Sequence, residues 1–463
     1  MSDPTAPSRR PLRNAAFAFL VSLSSLVSPL VSPLVSPLAS PLAAQDPPRK
    51  PVRLNDWLDG PTWLRVRGEH RTRFESLHGQ FRADPTLRDN EDQIANRSLV
   101  QVDVGHDAWS ATVEGIDARS FGTKADSFAD TTTVDTFDVL QASASYAFDG
   151  GHTLTAGRWT YDLGSRRLMA RNAYRNTINS FDGVRWDHRA PDGDLEAGAF
   201  WCLPTLRRPT ARAELVDNEH EWNDQDLDYR FFGLHATKRV GDRATAQLYA
   251  LGLEDGRGLA DDRLWTIGGR YERPERKGAV SAEVETAYQF GDRGPDDVDA
   301  HFVHGSVGYT FDCALSPAVR AAIDLATGDD GDADYGRFDT LFGSRRFAYG
   351  PAADYGEIGR RNVVSPELRV SVRPTDTTWL MLAWRDVRLE TASDEWAEAR
   401  DATGQGRSVG QQVECRLRWQ PCPQNLSFET GGAYLAGGRL RETSLSGRGS
   451  DTRYFYFETI LTF

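Results

Sequence analysis

The feature that most constrains the fold is an alternation of apolar and polar residues. From about residue 61 to the last residue it recurs in runs of about ten, split by turns rich in Gly, Asp and Pro. Because successive side chains of a β-strand point to opposite faces, each run predicts a strand with one apolar and one polar face. Five charged residues share one face of the first run: Arg65, Arg67, Glu69, Arg71 and Arg73.

The number of runs predicts the architecture. About 18 strands are expected, a number typical of transmembrane β-barrels. A sheet of this size leaves an aqueous lumen or holds a plug. We therefore predict an all-β fold, an antiparallel outer-membrane barrel. The expected strands are 61–76, 95–104, 107–119, 137–148, 152–161, 181–190, 193–202, 227–240, 243–253, 263–273, 278–290, 300–312, 316–327, 363–373, 377–390, 408–419, 424–436 and 451–463.

The end of the chain supports this prediction. Phe455, Phe457, Leu461 and the terminal Phe463 fall on one face of the last run. An exposed edge strand this aromatic would promote aggregation in a soluble protein. A terminal aromatic residue on an amphipathic strand is similar to the signal that barrel-assembly machinery reads. We expect this machinery and outer-membrane lipid as partners, and we expect the last strand to pair with the first.

The chain is expected to have three regions. Residues 1–44 combine basic Arg9, Arg10 and Arg13 with an apolar stretch, which predicts a secretory signal peptide. Residues 45–60 are expected to form a periplasmic linker, and residues 61–463 the barrel. The net charge of −13 argues against nucleic acid as a partner.

Long polar segments separate some of the strands: 77–94, 120–136, 203–226, 328–362 and 391–407. They fit extracellular loops or loops folded into the lumen, whereas short segments such as 149–151 and 241–242 fit periplasmic turns. In one long segment, Asp329, Asp330, Asp332 and Asp334 are weak candidates for a Ca²⁺ site. The segment lacks the full ligand spacing of an EF-hand, so a solvated acidic loop is the other interpretation, and no other cofactor is expected.

The cysteines do not form a metal-binding motif. Cys202, Cys313, Cys415 and Cys422 lack the spacing of metal ligands. Cys415 and Cys422 lie seven residues apart and either pair across a turn after export or remain free thiols.

Four segments resemble the bacterial alginate export family of outer-membrane porins. They begin with Ala156-Gly157-Arg158-Trp159 followed by 162–168, where family members have Gln in place of Trp159. The others are Arg175-Asn176 with 181–185, then 283–291, and 327–330 with 338–342 and 349–350. The resemblance covers about 61–463 and implies an 18-stranded monomeric barrel. It also implies an arginine-rich conduit for an anionic polysaccharide, with periplasmic export partners.

Arginines are the candidate conduit residues, because a planar guanidinium matches the carboxylate on each sugar of a polyuronate. They are Arg65, Arg67, Arg71, Arg73, Arg158, Arg166, Arg167, Arg171, Arg175 and Arg185. The alternative is structural, since acids such as Glu69, Asp103 and Asp182 would pair with them and brace the barrel. Acidic residues are also expected in the lumen: Glu283, Glu285, Asp324 and Glu414.

We therefore predict a non-enzymatic outer-membrane channel for passive export or diffusion of an alginate-like polysaccharide or oligosaccharide. One alternative is a general porin of the same fold that passes small solutes. A second is an outer-membrane enzyme that uses the barrel as a scaffold, although the sequence has no Gly-x-Ser-x-Gly nucleophile motif.

Overall fold

The computed structural model describes residues 52–53, 60–79, 81–82, 86–258, 261–331, 334–396, 406–443 and 451–463. The expected signal peptide, residues 1–44, lies outside the described residues. The expected linker is described only at Val52, Arg53 and Gly60.

Eighteen antiparallel strands are present in the described residues. They are β1 Leu64–His78, β2 Asn90–His106, β3 Trp109–Phe121, β4 Asp135–Phe148, β5 His152–Trp159, β6 Phe181–Arg189, β7 Leu195–Pro204, β8 Tyr229–Val240, β9 Ala244–Asp255, β10 Asp262–Arg273, β11 Ala279–Arg293, β12 Asp296–Thr310, β13 Ala318–Ala326, β14 Val363–Thr375, β15 Thr378–Arg388, β16 Ser408–Cys422, β17 Leu426–Gly437 and β18 Thr452–Thr462.

The sheet closes on itself between the first and last strands. Each strand pairs with its neighbours in sequence, and β1 pairs with both β2 and β18. At this seam Phe74 lies opposite Ile94 on one side and Phe457 on the other. The predicted fold class and the predicted pairing of the terminal strands are therefore confirmed.

The two faces of the strands differ as the alternation predicts. On β1 the outward Phe74 is 39% exposed, whereas the inward Arg73 and Glu75 are 1% and 2% exposed. The predicted inward acids Glu285, Asp324 and Glu414 are also buried. Apolar side chains thus cover the outside of the barrel, and charged side chains fill much of its interior.

Short turns join the strands at the barrel end where β1 begins and β18 ends, and most connections at the other end are longer. The longer connections contain three short helices, α1 Arg212–Val216, α2 Arg346–Tyr349 and α3 Arg439–Glu442, and a 3₁₀ turn at Pro351–Tyr355. In the described part of the chain, every helix is too short or too polar to span a membrane.

Two of the longer connections fold into the barrel. We call residues 160–180 the first inner loop and the described residues of the next long connection, 327–331 and 334–362, the second inner loop. Their apolar side chains join wall residues in one buried cluster that includes Trp159, Leu168, Phe181, Phe338 and Tyr349. The interior is therefore partly plugged by the chain itself.

The suggested pairing of Cys415 with Cys422 is wrong. Both residues lie on β16, so seven residues of extended chain, about 23 Å, separate them. This is far beyond the span of a disulfide. All four cysteines are free thiols.

Candidate functional site

The first inner loop is held to the barrel wall by buried guanidinium groups. Arg71 donates hydrogen bonds to the carbonyl oxygens of Ala173, Tyr174 and Arg175 at 3.0, 3.1 and 2.9 Å. Arg97 on β2 donates to the carbonyls of Ala173 and Arg175 at 2.8 and 2.9 Å. Arg73 adds a 2.6 Å hydrogen bond to the carbonyl of Tyr174. These contacts fix the backbone of residues 173–175 inside the lumen.

The second inner loop crosses the interior and contacts several walls. Its Tyr355 hydroxyl donates a 2.6 Å hydrogen bond to Glu75 on β1. Its Arg346 forms an ion pair with Glu429 on β17 at 3.2 Å. The two inner loops also contact each other, because Arg360 donates a 2.6 Å hydrogen bond to the carbonyl of Arg167.

Cavities remain on both sides of the anchored segment 173–175. The turn-side cavity, about 380 Å³, is lined by Ala173, Tyr174, Arg166 and residues of the barrel wall, mostly on β16, β17 and β18. The central cavity, about 160 Å³, lies between the inner loops and is lined by Arg175 and Arg207. A loop-side cavity of about 390 Å³ also includes Arg207. Residues 173–175 therefore separate the turn-side cavity from the other two.

Most of the candidate conduit arginines have acidic partners. The pairs and their shortest distances are Arg67–Asp103 at 2.7 Å, Arg73–Glu75 at 3.1 Å, Arg158–Asp182 at 3.0 Å, Arg167–Glu283 and Arg167–Glu285 at 2.6 Å, Arg171–Glu114 at 2.7 Å, and Arg185–Asp187 at 2.7 Å. Asp103 and Asp182 were among the acids expected to brace the barrel. The third, Glu69, pairs instead with Arg97 at 2.7 Å. The structural alternative therefore describes the contacts of these arginines.

Four of the ten candidates lack a carboxylate within salt-bridge distance among the described residues: Arg65, Arg71, Arg166 and Arg175. Arg71 donates instead to the loop carbonyls described above and to Asn176. Arg65 is exposed near the turn end of β1. Arg166 lies 3.7 Å above the ring of Phe347 and lines the turn-side cavity. Arg175 lines the central cavity and donates a hydrogen bond to Asn179.

Arg175 carries a poorly compensated positive charge. Its burial, together with the neighbouring Arg207, lowers its pKa to about 9. Burial also lowers the pKa of Arg207. The cavity also contains the carboxyl group of Asp354, and burial raises the pKa of this group. An anion in the central cavity would therefore interact favourably with both guanidinium groups.

A family comparison identifies the type of protein. Residues 62–448 match the family model described as alginate export. The chain belongs to the alginate export family. A search of curated protein sequences found no match for this family member.

Solved structures similar to this alginate export family barrel are outer-membrane proteins of Pseudomonas aeruginosa. OpdK with vanillate has a TM-score of 0.59 at 15% identity, over 86% of this chain and 98% of that chain. OccK2 (OpdF) in complex with glucuronate has a TM-score of 0.56 at 14% identity, over 86% and 97% of the two chains. OpdO has a TM-score of 0.56 at 15% identity, over 86% of this chain and 97% of that chain. The family and the fold place this barrel in the bacterial outer membrane as a channel.

Sequence reasoning missed two arginines of this family member, Arg97 and Arg207. Arg97 lies on a predicted strand, but its role depends on a loop 76 residues away along the chain. Arg207 falls in segment 203–226, which was expected to be a solvated or pore-folded loop. It donates hydrogen bonds to the carbonyls of Thr131 at 2.7 Å and Ile178 at 3.2 Å. The basic pair Arg207-Arg208 within an otherwise acidic segment was the available signal.

The calcium site stays a prediction. Asp329 accepts a hydrogen bond from the amide of Gly336 at 3.3 Å, and its own amide donates to Asp394 at 2.9 Å. Asp332 lies outside the described residues. In the part of the chain that the structure describes, no group of three or more His, Cys, Asp or Glu side chains suits a metal ion.

Proposed function

We propose that this outer-membrane channel passes an anionic saccharide, a uronate-type polysaccharide or oligosaccharide, by passive export or diffusion. The observation that carries the proposal is the placement of Arg166, Arg175 and Arg207. They line cavities on the two sides of segment 173–175, and among the described residues none has a carboxylate within salt-bridge distance. Most other candidate arginines are neutralised by acids.

The chemistry of these residues suits a uronate. A guanidinium presents two parallel N–H donors to a carboxylate, and a uronate polymer repeats that carboxylate on each sugar. Arg166 lies on the turn side, Arg175 in the central cavity, and Arg207 borders both the central and loop-side cavities. Several weak anion sites in series allow a ligand to bind and leave at each step, as conduction requires.

Passage requires the anchored segment to move. Residues 173–175 separate the cavities in this conformation, so a polymer would have to displace the first inner loop. The anchoring contacts are hydrogen bonds to backbone carbonyls rather than covalent links, so we propose that they open and re-form.

A small carboxylated solute is the second candidate. The separate cavities, of about 160 to 390 Å³, favour it because they can hold one sugar-sized molecule more readily than a chain. Two of the fold neighbours were solved with small carboxylates, vanillate and glucuronate. This candidate uses the same arginines but predicts no preference for longer oligomers.

Planar-bilayer recordings test both candidates. We expect an anion-selective channel whose current is reduced by uronate oligomers and not by neutral oligomers of equal length. Block that strengthens with oligomer length supports the polymer, and block by the monomer alone supports the small solute. A cation-selective channel that uronates do not affect would contradict both.

A matched pair of variants assigns the selectivity to the central cavity. Arg175→Ala and Arg207→Ala should each shift the reversal potential toward lower anion selectivity. Arg189→Ala is the control, because this 75% exposed side chain pairs with Glu196 at the turn end of the barrel. Incubating the purified barrel with ester and glycan panels tests the enzyme alternative, and we expect no turnover.

A further inference from the structure

The outer surface of β1, β2 and β3 carries a polar patch. We define it as His70, Thr72, Asn96, Ser98, Asp117 and Arg119. The strand register arranges these residues in two adjacent rows. His70 lies opposite Ser98, which lies opposite Asp117. Thr72 lies opposite Asn96, which lies opposite Arg119.

All six residues share the face that points away from the lumen. Their neighbours two residues away include Phe74, Ile94 and Val100, which are 39%, 44% and 54% exposed. The Arg119 and Asp117 side chains are 40% and 35% exposed. The patch is therefore a charged surface on the side of the barrel that faces lipid.

The polar patch lies between apolar residues at both ends. On the loop side of the patch, the next outward residues of β1, β2 and β3 are Phe74, Ile94 and Phe121. On the turn side of the patch, the outward surface is again apolar, with Val100 on β2 and Val113 on β3. The patch therefore lies within the apolar band of the barrel and not beyond it.

Charged residues elsewhere on the outer surface are placed differently. On β8, β9 and β10, the row formed by Arg230, Glu254 and Arg263 lies on the loop side of the row containing Phe232 and Trp265. Those charges are thus beyond the aromatic residues, where headgroups and water are available. The position of Asp117 and Arg119 has no such explanation.

Internal contacts satisfy the patch only in part. Arg119 donates hydrogen bonds from Nε to both carboxylate oxygens of Asp117, at 2.9 and 3.1 Å. The His70 ring lies 2.9 Å from the Ser98 hydroxyl and 3.2 Å from the Thr72 hydroxyl. The terminal guanidinium nitrogens of Arg119 have no partner within hydrogen-bond distance among the described residues. Hydrocarbon offers them none, so exposure to lipid costs free energy.

We propose that the polar patch is the interface through which two copies of this chain associate side by side in the membrane. The patch carries a carboxylate and a guanidinium close together, so it is complementary to itself about a two-fold axis. Arg119 of each copy can then donate its remaining N–H groups to Asp117 of the other. Gly115, a small outward residue next to the patch on β3, allows the two surfaces to approach closely.

A second copy explains the patch better than a lipid does. An anionic headgroup would be attracted by Arg119 but repelled by Asp117. The proposed dimer departs from the monomer that the family resemblance implies, and it does not depend on the proposed solute.

Native mass spectrometry of the full chain in detergent and in nanodiscs tests the proposal. The unmodified protein should have the mass of a dimer. The double variant Asp117→Leu, Arg119→Leu should shift to the monomer mass, and its apolar side chains suit the lipid-facing surface and leave the barrel folded. A monomeric unmodified protein, or a dimer that the double variant leaves intact, overturns the proposal.

Cysteine cross-linking provides an independent readout within intact membranes. Cys313, Cys415 and Cys422 are first replaced by Ser. Ser98→Cys should then give a disulfide-linked dimer under mild oxidation. Val284→Cys on β11 is the matched control, because it is 54% exposed to lipid on the opposite side of the barrel, and it should remain monomeric. Equal cross-linking at the two positions, or a Ser98→Cys adduct with a different protein, overturns the proposal.

Discussion

The guanidinium of Arg97 donates a 2.8 Å hydrogen bond to the carbonyl oxygen of Ala173 and so ties the barrel wall to the first inner loop. A second hydrogen bond, 2.9 Å long, reaches the carbonyl of Arg175. Hydrogen bonds from charged groups contribute about 1.5–3 kcal/mol each. The variant Arg97→Ala should therefore loosen residues 173–175 and increase single-channel conductance in planar bilayers.

The control for this prediction is Arg67→Ala. Arg67 is also an inward arginine near the same strands, but its half-exposed side chain pairs with Asp103 and holds no loop. We expect its conductance to match that of the unmodified channel. If Arg97→Ala also conducts like the unmodified channel, residues 173–175 do not limit the current.

Arg167 should contribute strongly to the stability of the barrel. Its guanidinium lies 2.6 Å from both Glu283 and Glu285 on β11, and Glu285 is only 2% exposed. Although burial alone would lower the pKa of Arg167, these two carboxylates raise it. Removing one partner of a buried ion pair costs about 3–5 kcal/mol, because the other charge stays buried. Arg167→Ala should lose about this much free energy of unfolding in urea titrations.

Two further variants make the Arg167 prediction specific. Glu285→Gln in the Arg167→Ala background should recover part of the loss, because it removes the uncompensated buried charge. Arg189→Ala breaks an exposed pair with Glu196 and should change the free energy of unfolding by less than about 1 kcal/mol. Equal losses for Arg167→Ala and Arg189→Ala would show that burial does not strengthen the first pair.

The barrel was predictable from sequence because lipid imposes a simple rule on it. Most outward residues within the membrane are apolar, so the alternation marks the strands directly. The same rule explains where the prediction stopped short. The run 95–104 is only the central part of β2, Asn90–His106. On the N-terminal side of Ile94, β2 also includes Asp92. This residue points outward but is charged, so the alternation of apolar and polar residues no longer marks the strand there.

The candidate site was less predictable because its contacts are not local. Arg71 and Arg73 were correctly expected to point inward, but both also donate hydrogen bonds to backbone carbonyls of residues 173–175. Every residue has a carbonyl, so no sequence pattern marks such a partner. The arginines were therefore expected to line an open lumen, whereas these two are buried against the first inner loop.

Glu357 should make the stability of the second inner loop depend on pH. This buried residue faces Arg441 of α3, and its burial raises its pKa to about 7. Because the pKa is raised on folding, the folded protein favours the protonated form. The stabilisation is complete below the ordinary carboxyl pKa and is lost as the pH rises toward about 7.

The expected loss of unfolding free energy over this pH range is about 3 kcal/mol. Urea titrations at several pH values measure it. Glu357→Gln, which stays neutral, should remove this part of the pH dependence, whereas Glu442→Gln, a change at an exposed residue of α3, should keep it. A pH dependence that is unchanged in Glu357→Gln would assign it to other groups.

Phe463 closes the barrel by covering a glycine. Its amide and carbonyl exchange hydrogen bonds with Gly68 at 3.0 and 2.9 Å, and a Cβ added to Gly68 would overlap the Phe463 ring. An aromatic ring over a strand glycine shields backbone that has no side chain of its own. Gly68→Val should therefore displace the ring and lower the fraction of folded barrel in outer-membrane preparations, measured by heat-modifiable gel migration.

A double variant separates this overlap from a general effect of valine in a strand. Phe463→Ala keeps the backbone hydrogen bonds and vacates the space that the new side chain at position 68 needs. On refolding into detergent, where no assembly machinery reads the terminal aromatic, Gly68→Val with Phe463→Ala should therefore fold better than Gly68→Val alone. Gly305→Val is the matched control, because a Cβ at this outward glycine meets only Ile323, at 3.9 Å. If Gly305→Val and Gly68→Val reduce folding equally, the loss reflects strand glycines in general and not the contact between Gly68 and the terminal ring.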